Sequence, residues 1–308
     1  MVDDAVVIGT RGRVGSAVSA RLRERGVTLR AEGAGLVLLC VPDRAIAEVA
    51  ASIAPGPWVA HVSGGTPLAA LEPHRRRFSV HPLLTFTHER GPEQLDGAWA
   101  AVTAETPEAI TAGVELGAED AELTLLCVPD SAIRDVAQGL SPGLRWIGHV
   151  SGATPLSALD PYERRFSLHP LQTFTRARGP EQLDGAWAAV TAETDEAREQ
   201  ALELAWTLGL EPFELADADR PLYHAGAALV STFLVTLHEA AASLVASAGA
   251  PPEALEPLIR RTIENGFEPT GPIVRGDWAT VEAHREAIRE ARPDLEPLYD
   301  ALVEATAR

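Results

Sequence analysis

The sequence predicts an α/β fold with a mainly parallel, internally repeated sheet, followed by an all-helical C-terminal domain. Three observations carry this. A short apolar strand at Ala5–Ile8 runs into a glycine loop and a helix; apolar runs then alternate with helical stretches as far as Leu215; from Arg220 onward the pattern is helical throughout. At roughly 100–200 residues per domain, the 308 residues divide into a dinucleotide-binding unit over 1–111, a partial second copy over 112–216 and a helical domain over 217–308.

The elements follow in order. After Ala5–Ile8 come Gly9, Gly12 and Gly15 and a helix with Val14, Val18 and Leu22 on one face, then a strand at Val27–Leu29. Leu36–Val41 reads as a strand buried on both faces, Pro42 and Asp43 start a helix through Ser52, and Trp58–Val62, Arg77–Val80 and Ala98–Thr103 are further strands. The expected order places Ala5–Ile8 between Val27–Leu29 and Leu36–Val41. Gly26–Asp43 then returns at Gly113–Asp130, His61–Leu68 at His149–Leu156 and Phe78–Phe86 at Phe166–Phe174, while the 17 residues Arg90–Thr106 reappear unchanged at Arg178–Thr194. Two copies make no solenoid. They indicate a tandem duplication in which only the first copy has the glycine loop and only the second continues into the C-terminal third. The first copy is expected to complete the cofactor domain, and the second to extend its sheet or to form an incomplete second lobe.

Glu196–Gly209 reads as a helix and Glu211–Leu215 as a last strand. Arg220–Gly249 reads as one long helix, apolar on most of its circumference, of the kind normally buried in a dimer interface or at the centre of a helical domain. Glu253–Asn265 is a helix ended by Gly266, and Asp277–Ala291 and Asp294–Ala307 are amphipathic helices, the first capped by Asp277.

Composition narrows the chemistry. The chain carries 26 basic and 44 acidic residues, a net charge of −18, so nucleic acid and anionic membrane surfaces are not expected partners. Every basic residue is arginine, which excludes Schiff-base, phosphate-loop and general-acid roles for lysine. Cys40 and Cys127 lie inside apolar runs, read here as two buried thiols, so neither a disulfide framework nor a metal site is expected, and a reducing, cytoplasmic location is. The acidic N-terminus does not resemble a signal peptide, and the apolar stretch Ala225–Leu237, interrupted by Ser231, Thr232 and Thr236, reads as too short to span a bilayer.

The glycine loop is the strongest chemical signal. Of its three glycines, one permits the tight turn, one lets a pyrophosphate approach the backbone, and one lets helix and sheet pack closely, with the helix N-terminus facing the anion. Gly9, Thr10, Arg11, Gly12, Arg13, Val14 and Gly15, with Val41 and Pro42 at the end of a neighbouring strand, are the expected cofactor-binding residues. Arg30 ends the second strand, where an acidic residue would favour NAD and an arginine pairs with a 2′-phosphate; with Arg11 and Arg13 it favours NADP, although Glu32 is close by. His81 and His169 end a strand at the carboxyl edge of the sheet, where they could pass a proton during hydride transfer. Ser63 and Ser151, in the preceding glycine turns, are candidates for holding the nicotinamide amide or the substrate.

The glycine loop, Leu-Leu-Cys-Val-Pro-Asp, His-x-Ser-Gly-x-Thr, Ser-x-His-Pro-Leu-x-Thr-Phe, Tyr223-His224 and Thr270–Asp277 together resemble a family of Rossmann-like proteins whose C-terminal helical domain is of unknown function. Its layout is similar to that of pyrroline-5-carboxylate reductase, prephenate dehydrogenase and the deazaflavin-dependent NADP reductases. The resemblance implies a nicotinamide-binding N-terminal domain and a helical domain that forms a homodimer and closes over a small-molecule substrate. It implies substrate contacts for Tyr223 and His224, the latter also a catalytic candidate; Arg275, if it meets the substrate, could bind a carboxylate by a two-pronged hydrogen bond. Two features depart from the commoner pattern: the loop has one residue more than G-x-G-x-x-G, and the repeat inserts about 88 residues before the helical domain. The reading is therefore an NADP(H)-dependent oxidoreductase acting on a small carbonyl, imine or cyclohexadienyl acid, with a non-catalytic dinucleotide sensor or scaffold as the alternative.

Overall fold

The computed structural model describes residues 3–118, 121–140, 144–175 and 177–308. The chain forms two compact units, Met1–Tyr223 and His224–Arg308.

In the first unit the first repeat builds β1 (Asp4–Ile8), α1 (Arg13–Glu24), β2 (Thr28–Leu29), β3 (Leu36–Leu39), α2 (Asp43–Ala51), β4 (Trp58–His61), β5 (Arg77–Pro82), β6 (Ala100–Ala104) and α3 (Pro107–Ala118). The six strands lie in the order β2-β1-β3-β4-β5-β6, parallel except for β6, which pairs antiparallel with β5. All four residues of β3 are buried, as its unbroken apolar run predicts for a strand covered on both faces. Val18 and Leu22 of α1 pack with Ala109 of α3 against Leu36, Leu38 and Phe78, while Ile46 and Ala50 of α2 pack on the opposite face against Val37, Leu39 and Val59. Helices on both faces of an open parallel sheet make this a doubly wound, Rossmann-like arrangement.

The second repeat builds β7 (Leu123–Leu126), α4 (Asp130–Gly139), β8 (Trp146–His149), β9 (Arg165–Pro170), β10 (Trp187–Ala192), α5 (Asp195–Thr207) and then β11 (Glu211–Glu214). These strands form a separate five-stranded sheet, β11-β10-β9-β8-β7, so the second copy does not extend the first sheet. Helix α3 serves both sheets: Ala109 packs on the first, while Ile110 and Val114 pack with Ile133 and Val136 of α4.

Among the described residues the second sheet has no counterpart of β1, and two differences between the copies follow, the second of which corrects the expectation of two buried thiols. The residues aligned with Gly26–Leu29 are Gly113–Leu116, which lie within α3 rather than in a strand. Cys127 is exposed whereas Cys40 is buried, because Cys40 follows a strand flanked by β1 and the equivalent strand β7 is an edge.

The second unit continues α6 (Arg220–Val230) and adds α7 (Thr232–Ser247), α8 (Leu255–Glu264), α9 (Trp278–Ala291) and α10 (Glu296–Thr306). The single helix expected over 220–249 is two, interrupted at Ser231, whose hydroxyl donates to the Ala227 carbonyl at 2.8 Å, a back-bond that bends helices. Nor is the run buried: α7 has no buried residue. The helical run Asp217–Ser247 is 31 residues long and contains an 18-residue window with a mean hydropathy of 1.6, so by length and composition alone it reaches the span of a bilayer, beyond the shorter stretch Ala225–Leu237 read from the sequence. Asp277 caps α9 as expected, accepting from the Thr280 amide at 3.2 Å. Arg285 bridges to Asp300 at 2.6 Å, fastening α9 to α10.

Candidate functional site

The glycine-loop candidates, with Val41 and Pro42, gather at the carboxyl edge of the first sheet, where open α/β sheets bind ligands; Arg30 does not join them, because β2 is in register with the start of β1 and Arg30 turns to Asp4 at the amino end of that strand. Gly9 leaves β1 with a φ of +99°, and a Cβ there would lie 2.3 Å from the Cys40 carbonyl oxygen. A Cβ on Gly15 would lie 2.2 Å from the Gly9 carbonyl oxygen. The Gly12 amide donates to the same carbonyl at 2.9 Å, closing the turn, and Gly12 then caps α1. No side chain caps this helix and no acidic residue occupies its first turn, so the amides at its start face outward in a setting suited to an anion. Arg11 and Arg13 are exposed beside them, and Val41 and Pro42 follow β3. This cradle fits a dinucleotide pyrophosphate. Arg30 at the end of β2 is half exposed, with its Nε 2.5 Å from the Asp4 carboxylate. That carboxylate also accepts from the Gly35 amide at 2.7 Å, the bond that chiefly holds its pKa below the ordinary value.

Beyond the glycine loop, each repeat carries the same turn. His61 and His149 end β4 and β8 and are fully buried. Each accepts the amide of the serine two residues on through Nδ1 at 3.2 Å. In each neutral ring the proton therefore sits on Nε2, and neither Nε2 has a hydrogen-bond partner. Ser63 and Ser151 close their turns by accepting two backbone amides each and donating to Thr66 and Thr154 at 2.9 Å. Their hydroxyls are committed to the turn.

The surroundings of the two turns differ. Burial lowers the pKa of His61, against the pull of Asp43. His149 is pushed down to about 3, first by burial and then by the charge of Arg220 and by His169. Arg220, at 1% exposure, donates to the Ser151 carbonyl and, at 3.0 Å, to the Thr191 hydroxyl. Asp217 lies 3.9 Å from its Nε and accepts the Leu156 amide at 3.0 Å. Burial works against the Arg220 charge, while Asp217, Tyr223 and Asp130 support it.

His81 and His169 occupy the same place on β5 and β9 but have different partners. The Nδ1 of His81 is 3.0 Å from the Val62 carbonyl, within its own repeat. The Nδ1 of His169 is 2.9 Å from the Tyr223 hydroxyl, with the rings edge to face at 5.6 Å. Tyr223 also packs on Phe213, and burial raises its pKa.

The second sheet thus brings together His149, Ser151, His169, Arg220 and Tyr223, and the first brings together the glycine loop, His61, Ser63 and His81. His224 and Arg275 belong to the second unit, Arg275 in an exposed turn before Asp277. Sequence reading passed over His61, His149, Arg220, Asp217 and Thr191. The two histidines had a visible signal, since they open the repeated His-x-Ser-Gly-x-Thr turn. Arg220 had none, being one arginine among 26.

Comparison with known proteins accords with this architecture. Residues 186–306 match the family described as a domain of unknown function, DUF2520. No curated protein matches the sequence. Among solved structures, a Bacteroides fragilis protein described as an NADP oxidoreductase aligns over 99% of this chain and 98% of its own, at 18% identity and a TM-score of 0.54. A Thermotoga maritima protein aligns over 66% of this chain and 86% of its own, at 22% identity and a TM-score of 0.52. At these identities the likeness establishes the fold: a Rossmann-like α/β part followed by helices.

Proposed function

We propose that this chain is an NADP(H)-dependent oxidoreductase acting on a small carbonyl, imine or cyclohexadienyl acid. The observation that carries the reading is the glycine turn at the head of α1, where Gly9 and Gly15 leave no space for a side chain and the uncapped helix start faces outward. Such crowding of backbone on backbone is what a pyrophosphate cradle requires. The description of the similar B. fragilis protein as an NADP oxidoreductase points the same way. Arg11 and Arg13 beside the loop supply positive charge of the kind a 2′-phosphate needs; Arg30, half exposed, would have to leave Asp4 to join them.

The bound cofactor supplies or accepts the hydride. What the chain must add is a proton donor or acceptor at the substrate oxygen or nitrogen, without lysine. The pair Tyr223 and His169 fits that role. In the reducing direction the Tyr223 hydroxyl gives its proton to the developing alkoxide or amine while His169, having taken up a proton from solvent, passes its Nδ1 proton to the phenol oxygen along their hydrogen bond, so that no phenolate is left and the ring returns to its neutral Nε2–H form. Ser63 and Ser151 shape the turns, and His81 is held to the Val62 carbonyl. His224 and Arg275 are the second unit's candidates for substrate contact. The exposed apolar face of α6 and α7 is assigned to a homodimer interface in a cytoplasmic protein.

One observation favours a second reading. The glycine loop lies on the first sheet and the Tyr223–His169 pair on the second, as befits a dinucleotide sensor or scaffold that binds without turnover. Titration with NADPH and NADH, read by nicotinamide fluorescence and thermal shift, tests both readings. The proposal expects NADPH to bind well above NADH, Arg30→Asp to abolish the preference, and imines or 2-oxo acids to oxidise NADPH. Binding without turnover on any of these would leave the sensor; no binding of either nucleotide would overturn both.

A further inference from the structure

The repeat gives this molecule an internal control. Two nearly identical turns, with the same histidine following on the next strand, sit in one unit, and the segment 217–223 docks on one of them. The strand following each histidine carries a threonine at the same register, Thr103 opposite Ser79 and Thr191 opposite Ser167. Thr191 is buried beneath Arg220 and donates to the Leu215 carbonyl at 2.8 Å, whereas Thr103 is exposed. The histidines differ in step: His169 faces the Tyr223 hydroxyl and His81 faces a carbonyl.

We infer that Arg220 is a positioning residue that makes His169 rather than His81 the working histidine, by clamping the first turn of α6 onto the Ser151 carbonyl and the Thr191 hydroxyl so that Tyr223 meets Nδ1 of His169. Tyr223 is three residues beyond Arg220, one helical turn on and on the same face, so fixing the guanidinium fixes the phenol. The guanidinium can do this because its planar fork reaches two acceptors at once, which an ammonium on a flexible stem does not reproduce. The consequence is a choice of tautomer. A carbonyl can only accept, so the neutral His81 ring must carry its proton on Nδ1. On His169 the Tyr223 hydroxyl donates to Nδ1, which puts the ring proton on Nε2 and leaves the phenol oriented as a relay. Without the clamp, His169 would fall back on the Val150 carbonyl, as His81 does on Val62.

The inference rests on the reading of Tyr223 and His169 as the proton-handling pair, but its test does not need turnover. The full chain is labelled with ring-15N histidine, and two-bond proton–nitrogen spectra report the tautomer of each ring, with His169→Gln and His81→Gln assigning the two signals. The wild type is expected to show the Nε2–H form at His169 and the Nδ1–H form at His81. Arg220→Gln and Arg220→Lys are each expected to convert His169 to the Nδ1–H pattern of His81 with NADPH binding unchanged, and Tyr223→Phe is expected to give the same conversion with Arg220 intact. Arg220 variants that melt cooperatively at a lower temperature with the His169 tautomer unchanged would overturn the inference, reducing Arg220 to a stabilising contact. So would a wild type in which both histidines show one tautomer. Should Arg220 variants fail to fold, Thr191→Val removes one acceptor of the fork and is expected to give a mixture of the two His169 forms; the Nε2–H form alone would overturn the inference. Failure of the wild type to bind NADPH or reduce any substrate strikes the oxidoreductase reading and leaves the tautomer result standing.

Discussion

At the residue scale, His149 links the geometry to a measurable pH dependence. Its ring is buried, its Nδ1 is taken by the Ser151 amide, and its pKa is pushed down to about 3 by burial and by Arg220. In the unfolded chain the same ring titrates near 6.5. Between those values the unfolded state binds a proton that the folded state refuses, so the stabilisation is whole above pH 6.5 and is lost as pH falls toward 3. The slope from this ring is about 1.4 kcal/mol per pH unit at its steepest. Denaturant midpoints measured from pH 7.5 to 4.5 are expected to fall for the wild type, and to fall less steeply for His149→Gln at equal m-value. Parallel curves would mean that His149 is not the group responsible. The glycine loop gives a second test at this scale. Gly15→Ala places a methyl 2.2 Å from the Gly9 carbonyl oxygen, so the loop must open. The expected result is loss of NADPH binding in titration, with a destabilisation of about 1–3 kcal/mol by denaturant melt, the usual range for overpacking.

At the element scale, one stretch of sequence adopts two structures. Gly26–Leu29 enters β2, while its aligned copy Gly113–Leu116 lies in α3. The first is legible in the sequence as a strand, and a strand needs a neighbour with which to exchange hydrogen bonds. β1 stands beside the first stretch, and the second repeat has no equivalent of it among the described residues. The two aligned glycines are therefore needed for different reasons. Gly26 has a φ of +80° with open space around its Cβ position, whereas Gly113 is helical and a Cβ there would lie 2.4 Å from Val102 Cγ1. Asparagine tolerates a positive φ but not a lack of space. Gly26→Asn is expected to change stability by less than about 0.5 kcal/mol, and Gly113→Asn to cost about 1–3 kcal/mol; equal costs in thermal melts would refute the distinction. The same logic shows what the sequence could tell of the site. The glycine loop was readable because its requirement is local, within Gly9–Gly15. The roles of His149, Arg220 and Thr191 arise only once β8, β10 and α6 meet, and no spacing along the chain announces that meeting. The repeat came closest, by marking His81 and His169 alike. Only their partners, Val62 and Tyr223, distinguish them.

At the scale of the whole molecule, the apolar run through α6 and α7 has to be covered by something. Leu229, Val230, Phe233 and Val235 are each more than half exposed, as are Leu258 and Ile263 of α8. Within the second unit the buried apolar residues are Val281, Ile288 and Val303, a thin core for a free-standing helical body. Monomeric soluble proteins rarely leave contiguous apolar surface of this kind in water, and a self-complementary patch closes most simply around a two-fold axis. The run is also long and apolar enough to cross a membrane by length and composition, so the two coverings call for opposite measurements. In detergent-free buffer, light scattering coupled to size exclusion is expected to give twice the 32.7 kDa chain mass, with Phe233→Glu and Val235→Glu together shifting the protein to monomer or to precipitate. A monomeric wild type that floats with neutral phospholipid vesicles would remove the dimer and assign the run to a bilayer. Dimerisation should also survive high salt, because with a net charge of −18 two copies repel at long range and screening favours their apolar contact. A dimer that dissociated in 1 M NaCl would instead require an ion-paired interface, which these exposed helices, apolar along the facing run, are not built to provide.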